Sequence, residues 1–373
     1  MRILFVNSLR SMGGGERWLI EVNSALVARG HETAFAVRQG GELARLLRAE
    51  GRRTLELPMR GDGDVLSMAN LSRWIRELRT ELVSVNVQRA VRIGAPAARA
   101  AGVRAVVERR GLLFPLKPTA LNRFIYGRMV SRVIANCDAI RRDLVGTGLV
   151  TIDRVTVIPN GIDSRRVRSG GGAALRDELG LDAAAPVVAV IGRLGPDKGH
   201  RVAIKAFAEL LRVRPEARLL IAGAGHLEED LTRFAASLVP SGAAMLLGHR
   251  DDVDAVLDAA DVVLVTSFRE GMPHVVLEAM AAGTPIVATA VAGIPEMIED
   301  GKEGILIPVG SHTAAAKAVG SILADAARAG ELAGAARRRV ETDFGLETMV
   351  DRVERCFERE IETGGRPGGA SVA

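Results

Sequence analysis

Short apolar runs rich in Val, Ile and Leu alternate along the chain with longer stretches in which apolar residues recur every three or four positions. The first pattern suits strands buried on both faces, the second amphipathic helices. Strands are predicted at Arg2–Val6, Thr33–Val37, Thr54–Leu57, Leu82–Asn86, Ala105–Glu108, Val133–Ala135 and Val155–Ile158. The second half predicts Val187–Ile191, Leu219–Ala222, Met245–Leu247, Val262–Val265, Ile286–Ala288 and Ile305–Ile307. Strands separated by helices imply parallel sheets covered on both faces. The expected fold class is therefore α/β, with two Rossmann-like doubly wound domains facing each other across a cleft. They would occupy residues 1–168 and 173–345, joined by the Arg-, Ser- and Gly-rich linker Arg165–Gly172. A last helix over 346–362 is expected to fold back onto the first domain, and the Gly- and Ser-rich tail 363–373 to be disordered. No internal repeat is visible.

A chain of 373 residues with 48% apolar and 25% charged residues is long enough for two cores. Its two cysteines, Cys137 and Cys356, support no disulfide framework or metal knuckle, and point to a reducing compartment. The N-terminus reads as a strand, with no signal peptide expected. No apolar run nears the roughly 20 residues that cross a bilayer. A cytoplasmic location is expected, extending to the cytoplasmic face of the inner membrane. Charge divides unevenly: residues 1–165 carry 27 Lys and Arg against 15 Asp and Glu, the remainder 23 against 30. A basic first half suits an anionic partner, such as a phosphorylated glycolipid or an anionic leaflet, or else is a solvated face. Nucleic acid is disfavoured, because no recognition motif accompanies the charge and aromatic residues are scarce. Within Leu112–Val133, apolar residues mix with Lys117, Arg123, Arg128 and Arg132. That segment reads either as an interfacial helix or as core packing with a basic outer face.

Chemistry concentrates after predicted strands. Ser267-Phe268-Arg269-Glu270-Gly271-Met272-Pro273 follows Val262–Val265 and leads into a helix carrying Glu278, with Gly283 and Pro285 at its end. Two carboxylates eight residues apart across a strand-to-helix junction would suit a sugar and a ribose, while the helix start favours an anionic or hydroxyl-rich ligand. Two solvated surface glutamates would leave the same pattern. Gly192-Arg193-Leu194-Gly195-Pro196-Asp197-Lys198-Gly199 follows Val187–Ile191, and its Arg193 and Lys198 are placed to clamp a diphosphate. Gly13-Gly14-Gly15 occupies the equivalent place after the first strand. Gly223-Ala224-Gly225 is a bare pair of glycines. Asp62-Gly63-Asp64 and Asp252-Val253-Asp254 match a metal-binding spacing, but one is a turn and the other a helix start. The six histidines show no metal spacing, so no metal site and no cofactor are expected. Asn86, Gln88, Glu108, Arg109 and Arg110 end first-domain strands on the side of the presumed cleft.

Taken in order, five motifs resemble the retaining glycosyltransferases of family four, which have the two-Rossmann GT-B fold. They are Gly13-Gly14-Gly15-Glu16-Arg17, Ile158-Pro159-Asn160-Gly161-Ile162-Asp163, Gly192-Arg193-Leu194 with Lys198-Gly199, Glu270 with Glu278, and Gly293-Ile294-Pro295-Glu296. The resemblance implies an acceptor domain followed by a nucleotide-sugar donor domain. It assigns Arg193 and Lys198, with backbone near Gly14 and Gly15, to the donor's diphosphate, and Glu278 to the ribose. Glu270 and the N–H groups from Gly271 through Met272 to Pro273 would position the transferred sugar, and the segment around Arg250 would touch the base. It also implies a metal-independent reaction with retained anomeric configuration. Many relatives carry a histidine where this chain has Glu108-Arg109-Arg110, a departure that favours an anionic acceptor held by arginine.

The resulting expectation is a transferase moving a hexose or heptose from a nucleoside-diphosphate sugar to a glycolipid, lipopolysaccharide or oligosaccharide acceptor, in peripheral contact with an anionic membrane. Its rivals are a nucleotide-sugar 2-epimerase of the same fold and a non-catalytic sugar-nucleotide-binding protein.

Overall fold

The computed structural model describes residues 1–167 and 170–365. Arg168 and Ser169 of the predicted linker, and residues 366–373 of the predicted tail, lie outside the described residues. The chain divides into two compact units, Met1–Asn160 with the chain from Glu347 onward, and Gly161–Leu346.

In the first unit, β1 (Arg2–Asn7), β2 (Glu32–Arg38), β3 (Thr54–Leu57), β4 (Leu82–Asn86), β5 (Ala105–Arg110), β6 (Arg132–Ala135) and β7 (Val155–Val157) form a parallel sheet of order β3-β2-β1-β4-β5-β6-β7. The strand centres are apolar, as in Ile3–Val6, Ala34–Val37, Leu82–Val83 and Ala105–Val107, because helices cover both faces and leave no wet side. Strand order reverses at β1, the switch point where parallel sheets open a crevice at their C-terminal edge. Asn7 lies opposite Asn86, and Asn86 opposite Arg109, so polar residues end three adjacent strands in register. β5 runs two residues past its predicted end because Arg109 and Arg110 still pair with Ile134 and Ala135.

Phe5 stacks on Phe35 with ring centroids 5.6 Å apart, and Phe357 of the helix Leu346–Glu362 lies 6.5 Å from Phe5. The same helix presents Glu347, Asp351 and Glu354 to Arg29, at 2.7, 2.7 and 2.5 Å, and Glu354 also meets His31. Both cysteines are buried, and neither forms a disulfide among the described residues. Leu112–Val133 does not form one long helix. Pro115 and Pro118 exclude helix in its first part, Thr119 caps a helix of Ala120–Arg128, and β6 begins at Arg132.

In the second unit, β8 (Val187–Ile191), β9 (Arg218–Ala222), β10 (Ala244–Gly248), β11 (Val262–Val265), β12 (Ile286–Thr289) and β13 (Ile305–Ile307) form a parallel sheet of order β10-β9-β8-β11-β12-β13. Order reverses at β8, the strand that leads into the Gly192–Gly199 loop. Val188, Val190, Leu219, Ile221 and Leu264 meet Ile204, Phe207 and Val319 of flanking helices in one core. Each unit by itself thus has the expected Rossmann-like, doubly wound architecture. Among the described residues, no helix is long and apolar enough to cross a membrane.

Candidate active site

The switch point of the second sheet places the loops after β8 and β11 side by side, since those strands pair directly. Gly199 sits between them with φ +67 and caps the helix His200–Leu210. A Cβ at Gly199 would run into the Thr266 carbonyl oxygen, so only glycine permits this approach. Thr266 Oγ1 donates to the Gly199 carbonyl at 3.0 Å, and the Phe268 N–H to the Asp197 carbonyl at 2.8 Å. The two loops are one hydrogen-bonded unit.

That unit joins residues 72 positions apart: Lys198 Nζ donates to Glu270 Oε1 at 2.6 Å. Ser267 Oγ donates to the same oxygen at 2.6 Å, and the Ser267 carbonyl accepts from Thr289 Oγ1 at 2.8 Å. Glu270 is 4% exposed, so its carboxylate is fixed by two donors in a place screened from water. Arg193 spans back over Gly195 to Asp197, with Nη2 2.8 and 3.0 Å from the two carboxylate oxygens. Its Nε and Nη1 make no ion pair with a carboxylate among the described residues.

Gly271 accepts from the Gly293 N–H at 3.0 Å, tying the turn before the helix His274–Ala282 to the Gly293-Ile294-Pro295-Glu296 motif. Met272 is buried, and Pro273 is the residue immediately before the helix. Glu278 lies within that helix and is buried at 6% exposure, which removes the reading of a solvated surface glutamate.

Three contributors escaped the sequence reading. His200 is buried, and its Nε2 lies 3.1 Å from the Arg193 carbonyl, where it holds the loop. Burial pushes its imidazole below the ordinary value, which favours the neutral donor form. Gly223 and Gly225 were a bare pair; a Cβ on either would run into the carbonyl oxygen of Gly192 or Leu194. The Leu194 N–H donates to the Ala224 carbonyl at 2.9 Å, so the pair supports the Gly192–Gly199 loop from beneath. Ser267 opens the stretch that carries Glu270, but only its bond to Glu270 reveals a role.

Arg250 is not brought into this group. Its guanidinium binds Asp252 and Glu178, four contacts of 2.7 to 3.2 Å, and these partners raise it above its ordinary value. The side chain therefore clips the loop after β10 to the end of the helix Gly172–Glu178. The Asp-x-Asp pairs are likewise occupied: Asp64 caps the helix Val65–Glu77, and Asp252 holds Arg250. Among the described residues, no group of three or more His, Cys, Asp or Glu suits a metal ion.

The first unit gathers a second polar group at its own switch point. Arg109 is buried, its guanidinium carbon 4.9 Å from the Trp18 ring centroid, and Nη2 donates to Asn160 Oδ1 at 3.0 Å. Burial pushes it down to about 10, with nearby Glu16 opposing the shift, so it remains a cation at neutral pH. Gly15 and Gly111 both border its Nη1, and a Cβ at Gly111 would run into the guanidinium as it stands. Gly14 starts the helix Gly14–Ala28, and Asn7 Nδ2 donates to Glu16 Oε1 at 2.7 Å. Burial raises Glu16 against that bond and the charge of Arg109. Glu108 is buried beside Arg110 and Tyr126, and burial raises it too. Arg110 also donates to the Phe114 carbonyl. Glu108 and Arg110 therefore hold the strand end, whereas Asn86 is 3% exposed with neither side-chain amide atom hydrogen-bonded.

Comparison with known proteins agrees with this architecture. The family model Glycosyl transferases group 1 matches residues 173–339, and Glycosyltransferase Family 4 matches residues 12–166. The D-inositol 3-phosphate glycosyltransferase of Segniliparus rotundus is 33% identical over 234 residues, covering 58% of this chain and 50% of that protein. The protein of the same name from Nocardia farcinica is 39% identical over 204 residues, covering 52% and 45%. The chain thus spans about half the length of the curated relatives it matches. The crystal structure of Anabaena HepE in complex with UDP-glucose superposes with a TM-score of 0.85 at 25% identity, covering 96% of this chain and all of that one. With one model on each unit and the whole fold shared, the chain belongs to the group 1, family 4 glycosyltransferases.

Proposed function

We propose that the chain transfers a hexose or heptose from a nucleoside-diphosphate sugar to a hydroxyl of a cell-envelope glycolipid or oligosaccharide, with retention and without a metal ion. The observation that carries the reading is the Lys198–Glu270–Ser267 triad, set between an Arg-bearing Gly loop and a helix start. In this reading Arg193 and Lys198 stabilise the diphosphate as negative charge builds on it, in place of a divalent cation. The bond from the sugar's anomeric carbon to the diphosphate oxygen breaks, and its electron pair stays on that oxygen. The acceptor hydroxyl attacks from the same face and its proton passes to the departing phosphate. A double displacement would need a carboxylate free to attack; Glu270 is instead locked by Lys198 and Ser267 and suits a role in holding sugar hydroxyls. Glu278 would take the ribose. UDP-glucose in the HepE structure makes a UDP-sugar the first donor to test.

The reading extends to a peripheral membrane contact. Leu121 and Phe124 are exposed on the helix Ala120–Arg128 beside exposed Arg123 and Arg128, with Phe114 exposed just before it. Such a mixed basic and apolar face suits an anionic leaflet.

The test is a panel of UDP-, GDP-, ADP- and CMP-sugars assayed for binding and slow hydrolysis, with and without EDTA. One donor turned over with retained configuration and no EDTA sensitivity is the expected result. Conversion of the donor to its 2-epimer without acceptor would make the chain an epimerase. Binding of a donor with no turnover under any acceptor would make it a binding protein.

A further inference from the structure

The switch point of the first sheet carries a charge arrangement that the fold does not require. Arg38 is the last residue of β2, Arg10 follows β1, and Arg89 lies in the first turn of the helix Gln88–Ala100 after β4. Their strands are neighbours, in the order β2-β1-β4. The Arg10 and Arg38 backbones are locked together: Glu42 N–H donates to the Arg10 carbonyl at 2.8 Å, and Gly41 N–H to the Arg38 carbonyl at 3.2 Å. A Cβ at Gly41 would lie 3.2 Å from the Arg38 and Leu9 carbonyl oxygens, so glycine lets the two segments close. None of the three arginines pairs with a carboxylate among the described residues. The nearby Glu42 carboxylate accepts instead from the Met12 N–H at 2.8 Å.

Among the described residues no carboxylate offsets the like charges of Arg10 and Arg89 on Arg38. Burial, then Arg10 and Arg89, hold Arg38 below its ordinary value, and its buried Nε has no hydrogen-bond partner. On the neighbouring strand, Asn86 at the end of β4 is buried with both amide atoms unpartnered among the described residues, two positions before the helix Gln88–Ala100. A buried amide with neither its donor nor its acceptor satisfied is uncommon and needs an explanation. Fixed cations, a helix N-terminus and an open amide, all at the C-terminal edge where the strand order reverses, form a receptor for an anion attached to a hydroxyl-bearing group. Arg92, one turn further, is not part of it, since it is engaged by Asp62 and Asn122.

We infer that the acceptor of this transferase carries a phosphate ester, which Arg10, Arg38 and Arg89 hold at the switch point while Asn86 bonds an adjoining hydroxyl. The inference rests on the transferase reading and names its substrate class. Three cations and a helix start match a dianion better than a single carboxylate.

The test uses glucose 6-phosphate and glucose as probes, titrated calorimetrically into the wild type, an Arg10→Gln/Arg89→Gln variant, Arg38→Gln and Arg193→Gln. Arg10 and Arg89 are exposed, so the first variant folds independently of the outcome. Glucose 6-phosphate is expected to bind the wild type and weaken with salt, with glucose at least about tenfold weaker. The double variant should lose at least about tenfold, and Arg193→Gln should keep wild-type affinity. Equal binding of both sugars, unchanged affinity in the double variant, no binding to the wild type, or a loss confined to Arg193→Gln would overturn the inference. The nucleotide-sugar panel separates the two failures. A chain that turns over a donor but ignores phosphate loses this inference alone; one that holds phosphate here and binds no donor loses the transferase reading.

Discussion

At the scale of single residues, the site depends on a few atoms that have no freedom to move. Lys198 Nζ and Ser267 Oγ meet on one oxygen of a buried carboxylate, so removing either donor leaves charge without its partner. Lys198→Ala and Arg193→Ala should each lower kcat by at least ~10²-fold, because each removes stabilisation that grows as the diphosphate departs. Steady-state rates with saturating donor check this, and a wild-type rate in either variant ends the clamp. Gly199→Ala touches no charged group, yet it places a Cβ against Thr266 in a left-handed conformation. It should destabilise the protein by about 1–3 kcal/mol and weaken donor binding in parallel, read by urea unfolding and by titration. The identities of Arg193, Lys198 and Glu270 stood out in the sequence, whereas His200 and Ser267 did not. Their roles depend on bonds to partners that no spacing rule connects.

At the scale of elements, all 13 predicted strands form, because runs of β-branched residues in a doubly covered sheet leave little ambiguity. Helix boundaries were harder where local chemistry overrode periodicity, as Pro115 and Pro118 did before Ala120. The pair Gly223 and Gly225 became meaningful only when β9 came to lie beside β8. The last helix is fastened to the first unit by apolar packing at Phe357 and by ion pairs at Glu354. Phe357 is fully buried, so Phe357→Ala should cost about 3–5 kcal/mol in urea unfolding. Glu354 is held below the carboxylate's ordinary value by His31, then Arg29. A lowered carboxyl contributes stability that is fully present above the ordinary glutamate value near 4.5, and that fades as pH falls through the lowered folded value. Melting temperatures of wild type and Glu354→Gln should therefore differ at pH 7 and converge in acid; a gap that persists in acid would assign the effect to packing.

At the scale of the whole molecule, the basic first half is part of the proposed chemistry and not of the fold. Reversing Arg123 and Arg128 to Glu should weaken binding to anionic vesicles, with a loss that shrinks as salt rises. Vesicle sedimentation that does not distinguish the variant from wild type would make that face merely solvated. The sequence by itself determined the class of fold, the strand list, the family and the loops where chemistry sits, because periodicity, glycine placement and short motifs are local properties. Tertiary structure alone decided which of those residues meet. It drew Lys198 to Glu270 across 72 positions and tied Arg250 into ion pairs away from them. It also brought Arg10 and Arg89 to act on Arg38 at the ends of adjacent strands, with the buried Asn86 ending the next one. The reason is that strand order is not sequence order: β8 pairs with both β9 and β11, and β1 with both β2 and β4, so a switch point collects side chains from loops far apart in the chain.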